Sequence, residues 1–160
     1  MSKDYYFVAV GSALGLGLAP IAPGTSGALL GVLIHVGVYY CLPIYYNLWS
    51  LILFFLGVVG TSYYLTPWAV AYWQNQDPPH FVLDEVAGYL LVPILFRGGQ
   101  FWLTVLYGFL LFRFFDILKI PPANLIDQNM KGAWGIILDD LVSACYAVAV
   151  LYALLWLGVL

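Results

Sequence analysis

Long apolar runs separated by short polar breaks set the rhythm of this chain. Residues 5–19 are apolar but interrupted by Gly11, Gly15 and Gly17, a pattern that predicts a short or re-entrant N-terminal half-helix. "APIAPGTSG" (19–27) is a break of turn and helix-start chemistry, with prolines, glycines and a Thr-Ser pair. "ALLGVLIHVGVYYCL" (28–42) then reads as a span stopped by Pro43. "NLWSLILFFLGVVGTSYYL" (47–65) is the clearest span, with Trp49, Tyr63 and Tyr64 near its ends as interfacial aromatics. A polar segment (67–85) leads into a shorter apolar piece (86–96) that ends at "RGGQ". The last two spans are "FWLTVLYGFLLFRFFDILK" (101–119) and residues 136–158, on either side of a polar loop (120–135). The expectation is an all-α polytopic membrane bundle of about five spans plus the half-helix, forming a single domain over 1–160.

Composition agrees with that pattern. Of 160 residues, 64% are hydrophobic and 8% charged, where soluble domains carry about 25% charge. The chain is therefore too poor in charge to cover a soluble surface. The start, "MSKDYYFVAV", has no cleavable-signal pattern. Cys41 and Cys145 sit in apolar surroundings at no metal-ligand spacing and read as small buried hydrophobes. A net charge of −3 with no basic stripe argues against a nucleic-acid partner. Five spans with an inside N-terminus put Lys3, Lys119 and Lys131 on the cytoplasmic side and Arg97 outside, in keeping with the positive-inside rule. The same arrangement gathers 19–27, 67–85 and 119–135, which hold nearly every polar group, on one membrane face.

The charges change the picture most. Ten of the thirteen lie between Asp84 and Asp140. Arg113 and Asp116 are three apart and share a helix face. Asp84, Glu85, Asp116, Asp139 and Asp140 supply five negative charges, against Arg113 inside a span and Lys119 and Lys131 at the rim. Like charges gathered in a low-dielectric place need cations, protons or a metal, and acids within membrane segments are functional candidates. Carboxylate-only clusters suit hard ions, Mg²⁺ above all, which usually completes its shell with water and substrate phosphate. Asp84, Glu85, Asp139 and Asp140 are the candidate metal ligands, and these four with Asp116 are the candidate catalytic residues. Zinc would want Cys or His, and only His35 and His80 exist; His35 reads as a core residue, and His80 precedes the Asp84-Glu85 pair.

"PGTSG" (23–27) offers backbone N–H groups and two hydroxyls at a helix start, which suits phosphate. Gly24, Thr25, Ser26, Arg113, Lys119 and Asp127 are the candidate substrate-binding residues. The chain lacks a Walker sequence, a Cys five residues before an Arg, an Asp-x-Asp, and enough histidine for a histidine nucleophile. Metal-assisted attack of water on a phosphomonoester remains.

These motifs, "APGTSG" (22–27), "DEVAG" (84–88), "FRFFDILK" (112–119), the Asp127–Gly132 loop and "GIILDDLVSA" (135–144), resemble the phosphatidylglycerophosphatase A family in order and spacing. The resemblance implies a bacterial cytoplasmic-membrane enzyme, its site facing the cytoplasm. Such an enzyme removes the terminal phosphate of phosphatidylglycerophosphate to give phosphatidylglycerol. It also implies Mg²⁺ dependence and a compact helical fold with one helix surrounded by others. The chain departs from the family pattern at "KIPP", "GAWG" and "DDLVSA", none of which removes a charged group. The rival class is a small membrane transporter or carrier whose buried acids bind a translocated cation.

Overall fold

The computed structural model describes residues 2–160, and the described residues form helices and no strand. The helices are α1 (Ser2–Gly11), α2 (Pro23–Cys41), α3 (Ile44–Trp73), α4 (Leu83–Leu95), α5 (Phe101–Leu118), α6 (Ala123–Asn129) and α7 (Ala133–Trp156). A 3₁₀ turn covers Leu16–Leu18.

The bundle is organised around α4. Leu83, Val86, Ala87, Tyr89, Leu90 and Val92 are all buried, so no side of this helix faces outward. A helix apolar all round belongs inside, and α2, α3, α5 and α7 pack against it. Glycines let the neighbours come close, as expected where lipid offers no hydrophobic drive between helices. A side chain at Gly27 or Gly31 of α2 would collide with Val82 or Tyr89, and one at Gly108 of α5 would press on Val92.

Four helices, α2, α3, α5 and α7, are long and apolar enough to cross a membrane. The fifth expected span, 86–96, is α4. At about 1.5 Å per residue its 13 residues reach only about 20 Å, short of a hydrocarbon core of about 30 Å. Three other boundaries differ from the sequence pattern. α2 begins at Pro23, so "PGTSG" is its first turn rather than part of a break. α3 runs on through Pro67 to Trp73; Trp68 stacks on Tyr72 with centroids 4.8 Å apart and meets Phe7 of α1 edge-on at 5.3 Å. Packing of that kind offsets the one backbone hydrogen bond a membrane proline removes. The loop 120–135 contains α6.

The N-terminal run becomes α1 and the 3₁₀ turn, which close over the start of α4. The Gly11 carbonyl accepts from Val82 N at 3.0 Å, and His80 Nδ1 lies 3.0 Å from the Gly17 carbonyl oxygen. His80 thus holds the two segments together.

Gly88 of α4 tests the packing. An added Cβ would lie 2.5 Å from Phe112 Cζ and 3.2 Å from Asp140 Cβ, whereas one at Gly57 of α3 would meet nothing. Gly88→Ala should cost about 1–3 kcal/mol by overpacking, and Gly57→Ala should be neutral or stabilising. Thermal unfolding in detergent checks this; equal midpoints for the two variants would contradict a close-packed α4.

Candidate active site

One end of the bundle gathers the polar chemistry. α4 presents Asp84 and Glu85 in its first turn, where the helix dipole favours negative charge. α7 brings Asp139 and Asp140 in its second turn. The C-terminal part of α5 supplies Arg113 and Asp116, with Lys119 as its cap. α2 contributes its N-terminus, and the α3–α4 connection adds Asp77, Pro78, Pro79 and Phe81. These residues line a cavity of about 370 Å³.

Asp84, Glu85 and Asp140 each place a carboxylate oxygen within 4.8 Å of the others. Asp84 lies against Glu85, and Asp140 lies against Asp116. Six acids line the cavity (Asp77, Asp84, Glu85, Asp116, Asp139, Asp140) with two cations, Arg113 and Lys119. Both cations are already engaged. Arg113 Nη1 pairs with Asp116 Oδ2 at 2.5 Å; Lys119 Nζ lies 2.7 Å from both Asp127 Oδ1 and Asp139 Oδ2. Burial works against the Lys119 ammonium, but its bonds to Asp127 and Asp139 outweigh that and raise its pKa above the ordinary lysine value.

What is left over defines the site. Asp84 Oδ1, Glu85 Oε2, Asp139 Oδ1 and Asp140 Oδ2 are buried without a hydrogen-bond partner. Unpaired buried carboxylate oxygens are costly, and a group of them facing one another is the donor set a hard divalent cation takes. The residues present therefore fit Mg²⁺.

The N-terminus of α2 lies beside this group. Pro23 has no N–H, and the Ser26 N–H is bonded to the Ala22 carbonyl at 3.2 Å. The N–H groups of Gly24 and Thr25 are thus the pair left without an intrahelical acceptor. Both residues line the cavity. Gly24 cannot carry a side chain here, because a Cβ would strike Glu85 Oε1 and crowd Arg113 Nη2.

Of the residues singled out from the sequence, Asp84, Glu85, Asp140, Asp116, Asp139, Arg113, Lys119, Gly24 and Thr25 come together in the cavity. Ser26 is not among its lining residues. Asp127 sits behind Lys119 and lines an adjoining recess of about 330 Å³ with Gln76, Gln128 and Lys131. Asp139 faces Lys119, whereas the three-carboxylate group is formed by its neighbour Asp140. His35 lies elsewhere, with Nδ1 3.2 Å from the Tyr89 hydroxyl. Asp77 escaped the sequence reading, although "QDPPH" sits in a polar segment assigned to the same membrane face and carries the only acid of that connection before Asp84.

Fold and site define a helical, membrane-type protein with a carboxylate-rich cavity suited to a hard cation beside a helix N-terminus suited to phosphate. The chain belongs to the phosphatidylglycerophosphatase A family, whose model matches residues 9–155. It is 34% identical to phosphatidylglycerophosphatase A of Haemophilus influenzae over 93% of this chain and 87% of that one. With the Escherichia coli protein of the same name it shares 30% identity over 95% and 84% of the two chains. A Bacteroides thetaiotaomicron protein provisionally named a phosphatidylinositol-3-phosphatase is 32% identical over 93% of each chain. No solved structure matches.

Two adjacent aspartates of α7 should respond oppositely to neutralisation. Asp140 faces other acids, so Asp140→Asn should raise the unfolding midpoint in the presence of a chelator, as removal of a functional strain often does. Asp139 pairs with Lys119, so Asp139→Asn should lower it, by about 2–4 °C for each kcal/mol lost. Thermal scans of the two variants in detergent with EDTA check this. A shift of the same sign in both would mean that the acids are not divided as described.

Proposed function

We propose that this protein is a Mg²⁺-dependent lipid phosphatase that hydrolyses the terminal phosphomonoester of phosphatidylglycerophosphate, giving phosphatidylglycerol and phosphate. The observation that carries this reading is the meeting of Asp84, Glu85 and Asp140 within 4.8 Å, beside the free N–H groups of Gly24 and Thr25. Membership of the phosphatidylglycerophosphatase A family supplies the substrate. A carrier reading draws no support from that family.

Asp84, Glu85 and Asp140, with Asp139 alongside, would hold Mg²⁺, which supplies charge neutralisation and Lewis acidity toward a phosphoryl oxygen. The chain's own groups do the rest. The Gly24 and Thr25 N–H groups hold phosphoryl oxygens at the positive end of α2. Arg113, already turned toward Gly24, adds charge with a planar fork suited to phosphate. Lys119 is poised at the rim and can share its ammonium between Asp139 and the phosphate. Asp84 is placed to accept a proton from the attacking water. Water oxygen bonds to phosphorus, the bond from phosphorus to the glycerol oxygen breaks, and that oxygen leaves as the alcohol with the proton that Asp84 accepted.

The setting we infer is the bacterial cytoplasmic membrane, with the cavity toward the cytoplasm. Lys119 lines the cavity, Lys131 the adjoining recess, and Lys3 belongs to the helix packed on the same end of α3, whereas Arg97 lies at the opposite end. That asymmetry is the one the positive-inside rule describes.

Phosphate release from phosphatidylglycerophosphate by the purified protein is the decisive measurement. It should require Mg²⁺, cease with chelator, and fall at least about 100-fold in Asp140→Asn or Glu85→Gln. Wild-type rates in those variants would move the site elsewhere. Arg113→Lys, which keeps charge but loses the fork, should raise KM or lower kcat; unchanged values would leave Arg113 only a partner of Asp116. Phosphatidylinositol 3-phosphate assayed in parallel decides headgroup selectivity, and comparable turnover would widen the substrate class.

Orientation has its own test. Cys41 and Cys145 are exposed on the outer faces of α2 and α7 rather than buried, so single cysteines at positions 77 and 128 are placed in a variant lacking both, and they should resist a membrane-impermeant thiol reagent in intact cells. Labelling of both from outside would invert the topology.

A further inference from the structure

We propose that the end of the bundle opposite the carboxylate cavity binds the headgroup of an anionic phospholipid, with the lipid phosphate on Arg97. A second cavity, of about 320 Å³, lies where the C-terminal ends of α2 and α4 meet the N-terminal ends of α3 and α5; Arg97, His35, Asn47, Thr104, Ile44 and Phe101 are among its walls. That volume falls in the range of small-ligand sites.

Charge identifies the ligand. No aspartate or glutamate lines this cavity. Asp4 reaches Trp68 near the far end of α3, and the remaining acids line the carboxylate cavity or its adjoining recess. Among the described residues no carboxylate side chain lies within ion-pair distance of Arg97, which is itself exposed. A phosphodiester supplies the missing anion in the bidentate form that arginine prefers. No carboxylate side chain lines the cavity to meet the ammonium of a zwitterionic headgroup, so the site favours a lipid of net negative charge.

The surroundings are built rather than incidental. Thr104 Oγ1 donates to the Gly98 carbonyl at 3.1 Å and the Gln100 side chain accepts from Leu103 N at 2.9 Å, which fixes the loop that carries Arg97. The Tyr152 hydroxyl donates to the Leu95 carbonyl at 2.9 Å, just before that loop. Asn47, its amide nitrogen turned inward, donates to the carbonyls of Val38, Leu42 and Pro43 and closes the α2–α3 corner. His35 is 8% exposed. Its Nδ1 lies 3.2 Å from the Tyr89 hydroxyl, which ties the ring to α4.

The apolar rim faces the bilayer. Ile44 is 71% exposed, and Tyr39 stacks on Phe101 with centroids 3.7 Å apart. Tyr40 and Trp102 continue an aromatic belt of the kind found at headgroup depth. Acyl chains can thus run along this rim while the phosphate reaches Arg97.

Native mass spectrometry of the full chain in detergent tests the site, with dioleoylphosphatidylglycerol, dioleoylphosphatidylcholine and inorganic phosphate as probes. Arg97→Gln should bind phosphatidylglycerol about tenfold more weakly, the loss of one charge-assisted contact. It should leave phosphatidylcholine binding and phosphate release at the other end unchanged. Ile44→Glu, an acid in the first turn of α3 where the helix dipole accepts it, should repel the same lipid and decides the matter if Arg97→Gln fails to fold. Undiminished phosphatidylglycerol binding in folded Arg97→Gln overturns the proposal. Displacement of the lipid by inorganic phosphate would do so too, since the site would then belong to a free anion.

Discussion

The close approach of α7 and α5 to Gly88 of α4 is the contact on which the rest depends. With no side chain at Gly88, Phe112 lies over the helix backbone and Asp140 Cβ comes within 3.2 Å of where a side chain would begin. That approach carries the Asp140 carboxylate to within reach of Asp84 and Glu85, one turn earlier on α4. Packing and chemistry are therefore one feature. The sealing of α4 by small residues on α2 and α5 keeps water from dispersing the charges that its first turn displays.

The acids gathered there fall into two kinds. Asp116, Asp127 and Asp139 each have a cation within ion-pair distance, and together they occupy both cations of the cavity. Asp84, Glu85 and Asp140 have none. Adding the first kind costs little, because a buried pair with good geometry roughly offsets its own desolvation. The second kind has no paired cation in the chain, and Asp84 and Asp140 instead lie against other acids, Glu85 and Asp116. The same partition gives Lys119 a divided role, as counter-ion to the α7 carboxylate and as a cation of the cavity lining.

Much of this was legible in the sequence, for a physical reason. Acids in apolar runs are so unfavourable singly that their presence in three separate segments already required convergence, and Asp84, Glu85, Asp116, Asp139 and Asp140 do converge. Long apolar helices were equally plain, since length and hydropathy are local properties. What the pattern could not carry was tertiary. Nothing local tells whether 86–96 is enclosed by other helices or faces lipid, because lipid and protein interior are alike apolar. Pro67 reads as a break until the packing of Trp68 against α1 and Tyr72 is known. Ser26 stands beside Thr25 in sequence, yet a helix turns successive residues about 100° apart, and only Gly24 and Thr25 face the acids. Asp77 was hidden for the converse reason: a loop residue has no periodicity to announce its direction.

The distribution of charge along the bundle bears on what kind of protein this can be. A carrier places its ion site near the bilayer midplane, where rearrangement can open it to either side. Here the acids crowd one end, and the path beyond them is filled. Tyr89, Val92, Phe96, Phe112, Ala147 and Leu151 form a continuous buried cluster between the carboxylate cavity and the cavity that holds Arg97. To pass an ion through would mean dismantling the packing that positions Asp140. A site fixed at one surface by a core of that density is suited instead to a substrate that stays in the membrane and offers only its phosphate, with the acyl chains kept among the apolar helix faces and the reacting group held at the interface.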